Sequence, residues 1–239
     1  MKELELSVIV PAYNEALRLE NSLLKMINFF KQRRMDAEII VVDDGSRDQT
    51  AEVARKCLGS FPGEIIRHPR NQGKGAAVKT GMLRGRARYL LFSDADLSTP
   101  IEEVDRMIGY MRSGYEVVLG SRALDRSKVE IRQNILRETM GRIYNRIAQF
   151  LVFNSIKDSQ CGFKCFSRRA AQDLFRAQKI MGFSFDAEIV YLTQKKGYRL
   201  LEMPVVWRNS PQSTLSIVWD PLWMFLDLLR IRWLHRNDV

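Results

Sequence analysis

Residues 90–100 read "LLFSDADLSTP". An apolar run ends abruptly in two carboxylates, Asp94 and Asp96, one residue apart. A short, unbroken apolar run closed by turn residues predicts a strand covered on both faces. At i and i+2, the carboxylates project to one side if the strand geometry continues. Their mutual repulsion requires a positive partner.

The same design recurs along the chain. "LSVIVPAY" (6–13), "AEIIVVDD" (37–44), "GEIIRH" (63–68), "RYLLFSDAD" (88–96) and "YEVVLGSR" (115–122) predict strands. Helical patterns lie between them at 15–31, 48–57, 75–86 and 100–112. The last is expected to start with Thr99 as N-cap, Pro100 at its first position, and Glu102 and Glu103 in its first turn. This alternation predicts an α/β fold with a mostly parallel central sheet and helices on both faces.

Ligands of such sheets sit at the carboxyl ends of the strands. Tyr13, Asn14 and Glu15 follow the first strand, Asp43 and Asp44 the second, Asp94 and Asp96 the fourth, and Ser121 and Arg122 the fifth. One acidic turn is unremarkable; four such ends on one rim point to a site. A divalent cation would offset the Asp94/Asp96 charge. Oxygen ligands suit Mg²⁺ or Mn²⁺, and two carboxylates leave the other positions to water and a diphosphate. For this motif alone, a solvated Asp-rich turn is the alternative. "NQGKGAAVKTG" (71–81) lacks the G-x-x-x-x-G-K-[ST] spacing, but its Gly-Lys-Gly turn can approach a phosphate or a base.

With 239 residues, 46% of them hydrophobic and 28% charged, the chain reads as globular. The net charge of +10 is uneven: residues 1–120 hold 18 Lys+Arg against 17 Asp+Glu, and residues 121–239 hold 20 against 11. The basic surplus of the second half predicts an anionic partner. The acidic rim of the first half argues against nucleic acid. "MKELELSVIVPAY" (1–13) has its charges directly before a strand, which reads as neither signal peptide nor membrane span, and no later stretch is long and apolar enough to span. Cys57, Cys161 and Cys165 are expected as reduced thiols in a cytoplasm, and two histidines, His68 and His235, are too few to favour structural zinc.

"VIVPAYNE" (8–15), "EIIVVDDGSRDQT" (38–50), "NQGKGAAVKTGM" (71–82), "DADLSTP" (94–100) and "VLGSR" (118–122) resemble glycosyltransferase family 2 in order and spacing. "DSQCGFKCFSRRAA" (158–171), "FSFDAEIVYLTQKKGYRLLEMPVVW" (183–207) and "LLRIRW" (228–233) resemble its dolichyl-phosphate β-glucosyltransferase and polyprenyl-phosphate glycosyltransferase branch. The resemblance implies a single GT-A domain over 1–239, with a nucleotide-sugar half (1–122) and an acceptor half (123–239). It implies inversion at the anomeric carbon with Mg²⁺ or Mn²⁺. Pro11, Tyr13 and Glu15 would line the nucleoside, and Asp44 would read the base with Lys74 nearby. Val42 and Ala95 join the donor-binding set. Asp94 would lie toward the ribose or sugar and share the metal with Asp96, and Arg122 would face the donor phosphates or the transferred sugar. Arg137 and Arg208 would face an acceptor phosphate.

Two positions depart from the family. Ser98 stands where mannosyl-transferring relatives carry a Gln ligand, which leans the reading toward glucosyl transfer. Thr214 replaces a Lys expected after Trp207. The reaction implied is transfer of glucose from UDP-glucose to a polyprenyl (dolichyl-type) phosphate. The alternatives are a GDP-mannose-dependent polyprenyl-phosphate mannosyltransferase and a soluble family 2 enzyme acting on a hydroxyl. A hydroxyl acceptor needs a base, for which Asp186 and Glu188 are candidates; a lipid phosphate arrives already anionic. The stripe Leu136, Met140, Ile143, Ile147 and Leu151, and the segment "DPLWMFLDLLRIRWLHR" (220–236), suit amphipathic helices at the cytoplasmic, inner face of a membrane or, equally for the stripe, a core face.

Overall fold

The computed structural model describes residues 4–124, 127–131, 135–208 and 219–237, without the side chains of 128–131, 135–140, 142 and 219–223. The five predicted strands form as β1 (Leu6–Ala12), β2 (Ala37–Asp43), β3 (Gly63–Arg67), β4 (Tyr89–Ser93) and β5 (Val117–Ser121). Between them run α1 (Ala16–Arg33), α2 (Thr50–Leu58), α3 (Lys74–Arg84) and α4 (Glu103–Arg112). The second half adds β6 (Lys128–Ile131), α5 (Ile135–Leu151), β7 (Phe163–Ser167), α6 (Arg168–Ala177), α7 (Phe185–Lys195), β8 (Leu200–Pro204), β9 (Val206–Arg208) and α8 (Trp219–Leu234).

Seven strands make one sheet in the order β3-β2-β1-β4-β7-β5-β8, and β6 pairs with β9 apart from it. All pairings in the large sheet are parallel except those of β7, which runs antiparallel between β4 and β5. The chain grows from β1 to β2 and β3 on one side, then crosses to β4 on the other. Beyond the pair Ile9–Phe92, β1 keeps its ladder with β2 and loses the one with β4. This parting of neighbours at a switch point opens a crevice at the strand ends.

Strand side chains alternate between two layers, as the pleat requires. Leu6, Val8, Val10, Leu91 and Cys165 pack with Leu23, Phe30, Val104 and Met107 of α1 and α4. Ile9, Leu90, Phe92 and Phe166 pack with Val78, Leu174, Phe185, Val190 and Leu228 on the opposite face. Both faces are covered, which is why the strands read as continuous apolar runs.

One predicted helix start moves. Instead of a helix from Pro100 capped by Thr99, residues 100–102 form a tight turn in which Glu103, Val104 and Asp105 donate to the carbonyls of Pro100, Ile101 and Glu102. The α-helix begins only at Glu103, and Thr99 is buried, its hydroxyl 3.8 Å from Cys161 Sγ. The i→i+3 geometry holds the chain close to the strand exit before the helix departs.

Candidate active site

Asp94 and Asp96 stand where β4 leaves the sheet, at the crevice between β1 and β4. The positive partner of Asp94 is Lys74, whose Nζ donates to Asp94 Oδ1 at 2.7 Å. Burial acts to lower the Lys74 pKa, but the charges of Asp94 and Asp186 outweigh it and hold the ammonium above its usual range. Asp94 is seated by backbone: its N–H donates to Gly162 O at 3.0 Å. A Cβ at Gly162 would lie 1.8 Å from Asp94 Oδ2, so only glycine admits that carboxylate. Asp96 Oδ1 accepts from Ser98 N at 3.0 Å, and Arg18 Nη1 lies 3.9 Å from Asp96 Oδ2. Burial first, then the neighbouring Asp94, raises the Asp96 pKa.

Lys74 reaches Asp94 and not Asp44. The Gly-Lys-Gly turn is a packing joint as much as an open loop: Gly73 has φ 102°, and a Cβ there would meet Met181 O at 2.4 Å. Asp44 is buried. Its Oδ1 accepts from His68 Nδ1 (2.7 Å) and Gln72 N (3.0 Å), and its Oδ2 from Gly73 N (2.8 Å). In this arrangement Asp44 fastens the 72–73 turn, its Oδ2 also accepting from Gln72 N at 3.2 Å. Val42 and Ala95 are both buried, and the Val42 side chain packs on Ala77 of α3. Pro11 is buried at the end of β1, while Glu15 turns onto Arg18 (2.5 and 2.6 Å).

Tyr13 lines a cleft of about 570 Å³ with Ser46, Arg47, Arg67, His68, Arg70 and Asn71. Its walls are stitched by Asn14 N to Ser46 Oγ (2.9 Å), Glu15 N to Thr50 Oγ1 (2.9 Å) and Arg67 Nη2 to Ser46 O (2.9 Å). The three arginines were not singled out in the sequence, where they look like ordinary turn charges. Only the convergence of the β1, β2 and β3 ends makes them one basic wall.

On the other side of Asp94, Arg122 is held by Asp158, a residue the sequence reading quoted in a motif but gave no role. The contact is bidentate, Nε to Oδ2 at 2.7 Å and Nη2 to Oδ1 at 2.9 Å, with Arg122 N adding a third bond at 3.0 Å. The guanidinium also stacks on Trp207, 5.4 Å from its ring centre. Burial acts to raise the Asp158 pKa, but the Arg122 charge and hydrogen bonds overcome it and bring it from 3.8 to about 2. A depressed acid stabilises the fold above its unfolded pKa, and that contribution vanishes as pH falls through the folded value. Asp158→Asn is therefore expected to flatten the loss of stability between about pH 4 and 2 by about 2 kcal/mol. Urea midpoints measured across that range check this; an unchanged slope overturns it.

Asp186 lies in the first turn of α7 and is buried. Its Oδ1 takes a 2.5 Å bond from Lys164 Nζ, which also donates to Cys161 O. Burial raises the Asp186 pKa, against the lowering effect of Lys164 and Lys74. Lys164 and Lys74 lie 5.6 and 5.3 Å from the Phe92 ring centre. A chain of alternating charge therefore runs Lys164, Asp186, Lys74, Asp94. Glu188 is corrected as a base candidate. It is fully buried, with Oε1 on Lys179 N (2.8 Å) and His235 Nε2 (2.5 Å) and Oε2 on Ile180 N (2.9 Å).

Arg208 is exposed on β9, and its N–H donates to Ser98 O at 2.7 Å, joining the second half to the Asp96 turn. The Arg137 side chain, those of Leu136 and Met140, and Thr214 lie outside the described residues. Of the helical stripe, Ile147 and Leu151 pack on the core and Ile143 is exposed. Phe150, Phe225, Leu229 and Trp233 of α5 and α8 are also exposed. No helix among the described residues is long and apolar enough to cross a membrane.

Comparison with known proteins agrees with this geometry. A dolichyl-phosphate beta-glucosyltransferase of Dictyostelium discoideum is 36% identical over 240 residues, covering 95% of this chain and 73% of that protein. Among solved structures, glucosyl-3-phosphoglycerate synthase from Mycobacterium tuberculosis with phosphoglyceric acid aligns with a TM-score of 0.71 at 18% identity, over 96% of this chain and 80% of that one. The same synthase with Mn²⁺, uridine-diphosphate-glucose and phosphoglyceric acid aligns at 0.65 and 17% identity, over 96% and 79%. These structures share the GT-A fold with the mixed, mostly parallel sheet described above. Residues 7–175 match glycosyl transferase family 2, and the chain belongs to that family as a glycosyltransferase.

Proposed function

We propose that the protein transfers glucose, with inversion, from UDP-glucose to a polyprenyl phosphate of dolichyl type. The observation that carries this is the similarity, over 95% of this chain, to a dolichyl-phosphate beta-glucosyltransferase, on a chain whose paired carboxylates stand at the β1–β4 crevice. In this reading, residues 1–122 bind the donor and residues 123–239 the acceptor. The Tyr13 cleft takes the nucleoside, with Pro11 and Asp44 buried beside it at the ends of β1 and β2.

Asp94 and Asp96 fit a divalent cation by donor chemistry: two hard oxygen ligands, with the Asp96 pKa raised by burial first and then by Asp94. When bound, Mg²⁺ or Mn²⁺ supplies Lewis acidity toward the departing diphosphate. Lys74 and Arg122 supply fixed positive charge on either side of the reacting centre. Asp94 holds Lys74 and Asp158 holds Arg122, while the nearby Asp186 adds its field to Lys74. The acceptor phosphate has a second pKa of about 6, so its oxygen is anionic at neutral pH and attacks the anomeric carbon as the bond to UDP breaks. No protein base is needed, which agrees with Asp186 being taken up by Lys164. Arg208, and Arg137 by position in α5, would hold the acceptor phosphate. The exposed Phe150, Leu229 and Trp233, with Arg230, Arg232 and Arg236, would rest on the cytoplasmic leaflet of a membrane.

The test is transfer of labelled sugar from UDP-glucose, and separately GDP-mannose, to a polyprenyl phosphate, with Mn²⁺ or with EDTA. EDTA-sensitive label in the organic phase from UDP-glucose alone is expected. Label from GDP-mannose alone replaces the donor. Metal-dependent hydrolysis without organic label removes the lipid acceptor.

A further inference from the structure

Arg18 occupies an electrostatically awkward place. It is the third residue of α1, where the helix dipole disfavours a cation, and no acid stands in the first turn of that helix. Even so, its side chain is largely buried, at 19% exposure. Glu15, immediately before the helix, grips it through Nε–Oε2 (2.6 Å) and Nη2–Oε1 (2.5 Å). The grip aims Nη1 across the crevice to within 3.9 Å of Asp96 Oδ2. Burial acts to lower the guanidinium pKa, but Glu15, Asp96 and Asp94 more than offset this.

The diacid thus carries two cations of its own, Lys74 on Asp94 and Arg18 near Asp96. They differ in kind. Lys74 makes a 2.7 Å bond and is backed by Asp186. Arg18 stands off at 3.9 Å, too far for a hydrogen bond, and is tied down from the other side by Glu15. A charge at that distance compensates Asp96 without being bonded to it, and can be displaced by a closer cation.

We propose that Arg18 is the resident counter-cation of Asp96. It stands in for the divalent ion when no donor is present and yields to that ion when the diphosphate arrives. The inference rests on the metal reading of Asp94 and Asp96. Its consequence is thermodynamic: while Arg18 compensates Asp96, the free protein binds the ion weakly, and the ion binds well only together with the nucleotide. By linkage, the ion and the nucleotide raise each other's affinity by one factor.

The test is Mn²⁺ binding, read from loss of the free-ion EPR signal and corrected for Mn²⁺ held by UDP in solution. Wild type, Arg18→Gln and Lys25→Gln are compared with and without UDP. Lys25 is exposed on the same helix and controls for net charge. Arg18→Gln is expected to bind Mn²⁺ alone roughly threefold to tenfold more tightly than wild type, with the enhancement by UDP reduced by the same factor. Lys25→Gln should follow wild type. Arg18→Met, which keeps the apolar stem, replaces the Gln variant if melting shows the latter misfolded.

Unchanged or weaker Mn²⁺ binding in the Arg18 variant overturns the proposal, as does an equal shift in Lys25→Gln. A loss of UDP affinity in EDTA with Mn²⁺ affinity unmoved also overturns it and makes Arg18 a phosphate ligand. If neither wild type nor variant takes up Mn²⁺ with or without UDP, the metal reading itself fails and this inference falls with it.

Discussion

Asp96→Asn is expected to lower the rate of sugar transfer by on the order of 10³ while the protein stays folded. The separation of the two effects follows from the local geometry. Asp96 Oδ1 accepts from Ser98 N, and an asparagine carbonyl oxygen accepts the same bond, so the turn after β4 survives. The side chain is about one-fifth exposed. What the amide cannot supply is negative charge toward a cation at the departing diphosphate. Activity is read as label extracted into the organic phase, and folding as the melting temperature. Full activity with Mg²⁺ or Mn²⁺ would sink the metal assignment of this carboxylate.

The second large effect is on stability. Asp186→Ala leaves the Lys164 ammonium buried at 1% exposure with Cys161 O as its remaining short partner. Breaking one side of a buried ion pair costs about 3–5 kcal/mol, which for a chain of this size lowers Tm by roughly 10 °C. Replacing both members with apolar residues, as in Lys164→Met with Asp186→Leu, should recover most of that loss, because the desolvation of both charges is then removed. Transfer should stay low in the double variant, since Lys74 loses the Asp186 field that helps hold its charge. Calorimetry and the transfer assay on wild type, Asp186→Ala and the double variant decide the matter. A double variant as active as wild type would reduce the pair to packing.

Both predictions concern residues whose roles differ in how far the sequence exposes them. Asp94 and Asp96 were legible because a strand exit is a local feature: an apolar run, then two acids at alternate positions. The same holds for β1 to β5 and α1 to α4, whose boundaries fall within three residues of those expected. The start of α4 was misplaced because Thr-Pro reads as an N-cap, whereas the carbonyls of residues 100–102 close a tight turn first. Val42 and Ala95 came with their motifs, but motif membership does not say which way a side chain points. The pleat and the helix above Val42 decide that.

What the sequence determined by itself is what short-range chemistry can encode: an α/β chain, its parallel strands, an acidic rim at their carboxyl ends, and a basic second half. What only the tertiary structure decided is the set of partners. β7 enters antiparallel between β4 and β5, and this brings Gly162 under Asp94, Lys164 to Asp186, and the Asp158 loop to Arg122. No local pattern encodes that insertion, because strand order is set by which apolar faces can be covered together, not by neighbours in the chain. The repulsion between Asp94 and Asp96 is first offset within the chain, by Lys74 and Arg18. Those residues lie 20 and 78 positions upstream of the carboxylates they face, a pairing that exists only once the sheet has formed.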